Sequence, residues 1–316
     1  MSLEENIKVI VEQVLAQLNN SEASMASVQD SSGASSCSLQ DRSEVAKCPL
    51  QAGEVSLNPD ATEELPDLTQ VALQEYLQVP NPNNKDHYEQ LKKSTPARIG
   101  VWRAGTRPLT DTLLRFRADH AAAQDAVLSE ISEDFLARFD LLRLQSACRD
   151  KDEYLTRPDL GRILNQESME NLRASAKTGA DVQIIISDGL SSTAVEQNIP
   201  DLLPALEQGL KSMNLSTGTL LFVKYGRVAI MDVIGEVLKP KVAVILIGER
   251  PGLGNAESLS AYLAYNPRQG MLENERTVIS NIHRKGTPAP EAGAYLASLI
   301  AKVLAAKASG VNFKGA

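Results

Sequence analysis

Residues 182–213 read VQIIISDGLSSTAVEQNIPDLLPALEQGLKSM, and the change of pattern inside this stretch decides the fold. VQIIIS (182–187) is a short run rich in branched apolar residues, as in a parallel strand buried on both faces. SDGLSS (187–192) mixes glycine with polar groups, and the residues from Ser192 to Met213 have the length and composition of a helix. Strand, loop and helix in that order make one unit of an α/β sheet.

Downstream the unit recurs. TLLFV (219–223), VAVILIG (242–248) and TVISNIH (277–283) repeat the strand pattern. VAIMDVIGEVL (228–238) and PEAGAYLASLIAKVLAAKASG (290–310) supply helices, the second closing on Gly310 as a C-terminal cap. Residues 179–316 are therefore expected to form a Rossmann-like doubly wound, mostly parallel sheet with right-handed crossovers.

Upstream of Gly179 the signals are helical, in PDLTQVALQEYL, PLTDTLLRFRADHAAAQDAVLSEI, SEDFLARFDLLRLQ and TRPDLGRILNQESMENLRASAK. Asp67, Thr110, Ser132 and Thr156 are the candidate N-caps. The fold class is α/β: a helical N-terminal domain (65–178), then the sheet domain (179–316), behind a disordered leader that carries a short helix.

That leader has two parts. Ile7, Ile10, Val11, Val14, Leu15 and Leu18 fall on one helical face, so residues 1–18 contain an amphipathic helix. Residues 19–64 are an acidic, serine-rich tether, with nine serines between positions 21 and 43, too polar to offset the entropy of ordering. A helix this short needs a surface to cover its apolar stripe. Either it docks on the chain's own body or another protein recognises it; the long tether favours recognition.

Charge is divided unevenly. The net −8 of the 316 residues combines −10 in residues 1–75 with +2 in the rest. A nearly neutral body without a sustained Lys/Arg run argues against nucleic-acid binding. No stretch approaches the ~18 consecutive apolar residues of a membrane span, and Glu4 and Glu5 replace the basic start of a secretory signal. Cys37, Cys48 and Cys148 show neither zinc-ligand spacing nor a disulfide framework, which points to a reduced, cytosolic setting.

Ligands of doubly wound sheets sit beyond the carboxyl ends of the strands. Four loops leave those ends: SDGLSS (187–192), KYGRV (224–228), GERPGLGNAES (248–258) and HRKGT (283–287). GERPGLG lacks the third small residue of the dinucleotide fingerprint, and no phosphate-binding G-x-x-x-x-G-K-[ST] occurs. Ser191, His283 and Asp188 supply the residue types of a nucleophilic triad but no G-x-S-x-G elbow. His87, His120 and His283 are scattered without metal-ligand spacing, and the D-x-H-x-x-G cobalt-ligating pattern is missing. Arg98, Arg103, Arg107, Arg115 and Arg117 crowd around Trp102, which suits either a solvated face with local ion pairs or a subunit interface.

Several long phrases go further: RAGTRPLTDTLLRFRADHA, YLTRPDLGR, DVQIIISDGLSSTA, FVKYGRV, GERPGLGNAESLSAY and RTVISNIHRKGT. Over residues 80–312 and in this order, the chain resembles the small (light) subunit of adenosylcobalamin-dependent ethanolamine ammonia-lyase. The resemblance implies conversion of ethanolamine to acetaldehyde and ammonia by a radical mechanism started by homolysis of the cofactor's cobalt–carbon bond. It implies a large subunit with a TIM-type barrel that carries the catalytic groups, leaving none on this chain. It also implies a location in the bacterial cytoplasm, inside the ethanolamine-utilization microcompartment, with residues 1–18 meeting shell proteins.

For the cofactor, the family's contacts carry over to Val228 in YGRV, Glu249 in GERPGLG and Val278 in RTVISN. Arg227, Ser187, Asp188, Gly189 and Ser191 are further candidates on the same rim, where corrin carboxamides would find donors and acceptors. Two other readings use the same residues: a stand-alone hydrolase or transferase working in this crevice, and a noncatalytic scaffold held to a shell by its helix.

Overall fold

In a computed structural model of the chain, residues 77–95 and 97–314 are described; the expectations for residues 1–18 and 19–64 and for Asp67 lie outside them. A two-stranded hairpin, β1 (Arg103–Ala104) and β2 (Arg107–Pro108), precedes six sheet strands. These are β3 (Leu142–Gln145), β4 (Val182–Ser187), β5 (Leu221–Lys224), β6 (Val242–Gly248), β7 (Leu259–Tyr265) and β8 (Thr277–Ile282). The α-helices are α1 (Lys85–Lys93), α2 (Thr110–Leu128), α3 (Glu133–Leu136), α4 (Lys151–Thr156), α5 (Gln166–Ser175), α6 (Ser192–Ser212), α7 (Ile230–Leu238) and α8 (Ala289–Ala306).

The sheet order is β3-β5-β4-β6-β7-β8. The first four strands are parallel, while β7 is antiparallel to both neighbours. Strands β4 and β6 are buried along their whole length, as their uninterrupted apolar runs require. Helices α6 and α8 cover one face through Leu202, Leu206, Leu296 and Ile300. Helices α5 and α7 cover the other through Leu172, Ile230, Ile234 and Leu238. The α/β class and the mostly parallel sheet follow the sequence reading.

Four details differ from it. Leu142–Gln145, read as helical, is a strand paired with β5, and Leu144 buries its side chain in the core on the α7 face. The sheet thus draws a strand from before residue 179, and the described residues fall in one compact unit. Second, Leu259–Tyr265 intervenes between β6 and β8. The strand at Thr277–Ile282 therefore runs in the direction of β6 but pairs antiparallel with β7, and as an edge strand it is half exposed rather than buried.

Third, Thr156 ends α4, whose N-cap is Asp150, accepting from the Glu153 amide at 2.8 Å. The expected helix from Thr156 is a 3-10 turn at Leu160–Arg162 followed by α5, which Asn165 caps. Thr110 is the first residue of α2 rather than its cap, while Ser132 does precede α3. Fourth, α8 closes on Lys307 in the left-handed conformation (φ 52°), and Gly310 opens the next 3-10 turn.

Candidate functional site

From β4 the chain moves to β5 on one side, then crosses back past β4 to reach β6 on the other. Such a reversal of strand order opens a crevice between the carboxyl ends of the two central strands. Its floor is two loops in contact. A Cβ on Gly189 (φ +59°) would lie 2.3 Å from the Gly248 carbonyl oxygen, and one on Gly248 would lie 2.1 Å from that of Ser191. No larger residue permits this approach.

Above the floor lies an open cleft of about 370 Å³, lined among others by Tyr154, Arg227, Val228, Glu249, Ser260 and Tyr262. Glu249 is held in one orientation. Its Oε1 accepts from the Ser260 hydroxyl at 2.7 Å and from the Asn281 amide at 2.8 Å. Among the described residues Oε2 has no partner, so it is available as an acceptor at the cleft.

Arg227 is held as firmly. Its amide donates to the Gly161 carbonyl at 2.7 Å and its Nη2 to the Tyr154 carbonyl at 2.8 Å. The guanidinium lies 4.2 Å over the Tyr154 ring, a favourable cation–π geometry. Its Nε is buried without a partner, and no carboxylate forms an ion pair with it among the described residues. A buried donor left unpaired is costly, a cost that a ligand oxygen reaching this nitrogen would relieve. Burial pushes the Tyr154 phenol well above its ordinary value, so it stays neutral beneath the cation.

Of the expected site residues, Gly189, Arg227, Val228 and Glu249 line this one cleft. Val278 flanks it: it stands opposite Tyr262 in the β7–β8 register and is 48% exposed. The other three lie behind the floor. Ser191 caps α6, accepting from the Ala194 amide at 3.1 Å and donating to the Ala256 carbonyl at 2.6 Å. Ser187 is buried with its hydroxyl 2.9 Å from the Val223 carbonyl.

Asp188 accepts from the amides of Tyr225 (2.8 Å) and Gly189 (3.0 Å), tying the loop after β4 to the loop after β5. Burial pushes its carboxyl up to about 6, although Lys151 and those two amides act in the opposite sense. Ser191, Asp188 and His283 do not form a triad: the His283 ring pairs with Asn281 at 2.7 Å and with neither of the other two. Among the described residues no cluster of three or more His, Cys, Asp or Glu is arranged to hold a metal ion.

Sequence reasoning missed Tyr154, Ser260 and Tyr262. The last two had a signal: in SLSAYLAY alternate residues include Ser258, Ser260 and Tyr262, the period of a strand with one face on the cleft. Tyr154 had none, because it reaches the cleft only through the packing of α4 against the loop after β5.

Fold and cleft together define an α/β chain whose open cleft presents an oriented carboxylate and a stacked arginine. The profile described as "Ethanolamine ammonia-lyase light chain (EutC)" matches residues 85–314. An ethanolamine ammonia-lyase small subunit of Listeria monocytogenes is 52% identical over 250 residues, covering 79% of this chain and 85% of that one. Those of Fusobacterium nucleatum and Clostridium tetani are 54% identical over 248 residues (78% and 84%) and 47% identical over 314 residues (99% and 100%). The chain belongs to the ethanolamine ammonia-lyase light-chain family, which makes it a subunit of an ammonia-lyase.

Proposed function

We propose that this chain, joined to a large subunit, converts ethanolamine to acetaldehyde and ammonia, and that its cleft forms one wall of an adenosylcobalamin pocket closed by that partner. The observation that carries the proposal is the pairing, in one cleft at the reversal of strand order, of an oriented Glu249 with an Arg227 whose Nε has no partner among the described residues. A corrin rim carries carboxamides, each with a carbonyl oxygen and an N–H pair. Arg227 suits the oxygens and Glu249 Oε2 suits the N–H groups, so the residues fit the group.

When bound, adenosylcobalamin supplies the carbon-centred radical that starts the elimination. Residues of this chain bind and orient it: Glu249 and Arg227 by hydrogen bonds, Val228 and Val278 by van der Waals or backbone contact. Closing the cleft against a second subunit keeps water from a reactive intermediate. The groups that act on ethanolamine belong to the large subunit, read as a TIM-type barrel. Residues 1–18 are the segment that delivers the assembly to a microcompartment shell.

Reconstitution tests this reading. Each subunit alone and the two mixed are supplied with adenosylcobalamin and ethanolamine, and acetaldehyde is followed. Only the mixture should turn over; turnover by this chain alone, or by the large subunit alone, contradicts the shared pocket.

A further inference from the structure

Among the described residues, those before Ser129 form an arm that has almost no core of its own. None of its side chains belongs to the apolar clusters of the sheet. Helix α2 is 19 residues long, yet only Asp119 and Ala126 are buried on it. Leu109, Leu113 and Phe116 recur at i, i+4 and i+7 on its exposed side, with Leu114 and Trp102 exposed nearby. Helix α1 buries only Lys92, whose ammonium donates to the Ile99 carbonyl at 2.7 Å.

Charge surrounds this apolar stripe. Arg98 and Arg115 both bind Asp119, but Arg103, Arg107 and Arg117 have no ion pair among the described residues. A surface of Trp, Leu, Phe and unpaired Arg has the composition of an interface core with a basic rim. The arm also touches a loop whose first residues line the cleft: Arg98 Nη2 donates to the Leu253 carbonyl at 3.1 Å, four residues on from Glu249. A subunit closing the cleft would meet the arm next.

We infer that the face of α2 bearing Leu109, Leu113 and Phe116, with Trp102 beside it, is the docking surface for the large subunit, which meets it with an apolar patch rimmed by carboxylates. The inference rests on the two-subunit reading above. A second copy of this chain fits less well, because a two-fold contact would set the unpaired arginines against one another.

Hydrogen exchange on the full chain, alone and with the large subunit, tests it together with Leu113→Asp and Phe116→Asp. Both positions are exposed, so the variants should melt with the wild type. Amides of residues 110–117 should exchange quickly in the lone chain and at least about tenfold more slowly in the complex. The variants should weaken assembly by more than about tenfold, the loss typical of a contact at the centre of an interface. Assembly of the variants at wild-type affinity overturns the docking surface while leaving the shared pocket standing. Failure of the wild-type chains to associate removes the two-subunit reading itself. Protection already present in the lone chain overturns the inference too: at all concentrations it assigns the face to the acidic leader, and if it grows with concentration, to a second copy.

Discussion

Ser260 on β7 and Glu249, the residue after β6, meet where these antiparallel strands adjoin, the serine hydroxyl donating to one carboxylate oxygen at 2.7 Å while the other oxygen has no partner among the described residues. That division fixes what the carboxylate does. One oxygen belongs to the fold and sets the orientation; the second is offered to whatever enters the cleft.

Glu249→Gln keeps an oxygen for Ser260 and Asn281 but turns the free acceptor into a donor. Loss of one charge-assisted hydrogen bond, about 1.5–3 kcal/mol, corresponds to a roughly 10- to 100-fold weaker grip. A spectral titration of the two-subunit complex with adenosylcobalamin should show that loss, with ethanolamine saturation nearly unchanged. Unaltered cobalamin affinity takes Glu249 out of the site.

Gly248→Ala places a Cβ 2.1 Å from the backbone oxygen of Ser191, which cannot swing away as a side chain can. A cost of about 3 kcal/mol is expected from such overpacking, and the melting temperature should fall by roughly 6–12 °C. Gly254→Ala is the control. Among the described residues nothing lies within 4 Å of its Cβ position, so its melting point should match the wild type.

Asp188 makes a pH prediction. Its carboxyl is pushed up to about 6 in the folded protein by burial, above the ordinary value of 3.8 it has when unfolded. The folded state therefore holds this proton more tightly, and the contribution of Asp188 to stability is fully present below about pH 4 and is lost as pH rises through 6. At about 1.4 kcal/mol per unit the decline approaches 3 kcal/mol. Asp188→Asn can still accept from Tyr225 and Gly189 but does not titrate. Denaturant midpoints should move in favour of the variant between pH 4 and pH 7; a constant difference across that range contradicts the assignment.

The leader carries its own prediction. Residues 1–20 fused to a fluorescent protein should gather into puncta in cells that form microcompartment shells. Diffuse fluorescence there contradicts delivery by this segment.

Much of the fold was legible because β4 and β6 are buried on both faces and so read as unbroken apolar runs. The missed strands lacked that signature. LRLQ at β3 sits in a stretch rich in helix formers and becomes a strand only by pairing with β5. LSAYLAY at β7 has no β-branched residue, and its alternation was hidden behind the glycine-rich phrase before it. Overlooking β7 carried over to the site: the rim loops pointed to Arg227 and the family resemblance to Glu249, but Ser260, which orients Glu249, lies on the missed strand. Ser187, Asp188 and Ser191 lie in the right loop, and only the structure separates polar groups that build a loop from those that line it.

A density map of the reconstituted two-subunit complex with bound cobalamin is the most direct measurement of all. The corrin should lie at the junction of the chains, with a side-chain amide within hydrogen-bond reach of Glu249 Oε2 and an acceptor against Arg227. A cobalamin enclosed wholly by the large subunit, with nothing between Glu249 and Arg227 but water, would contradict the shared pocket.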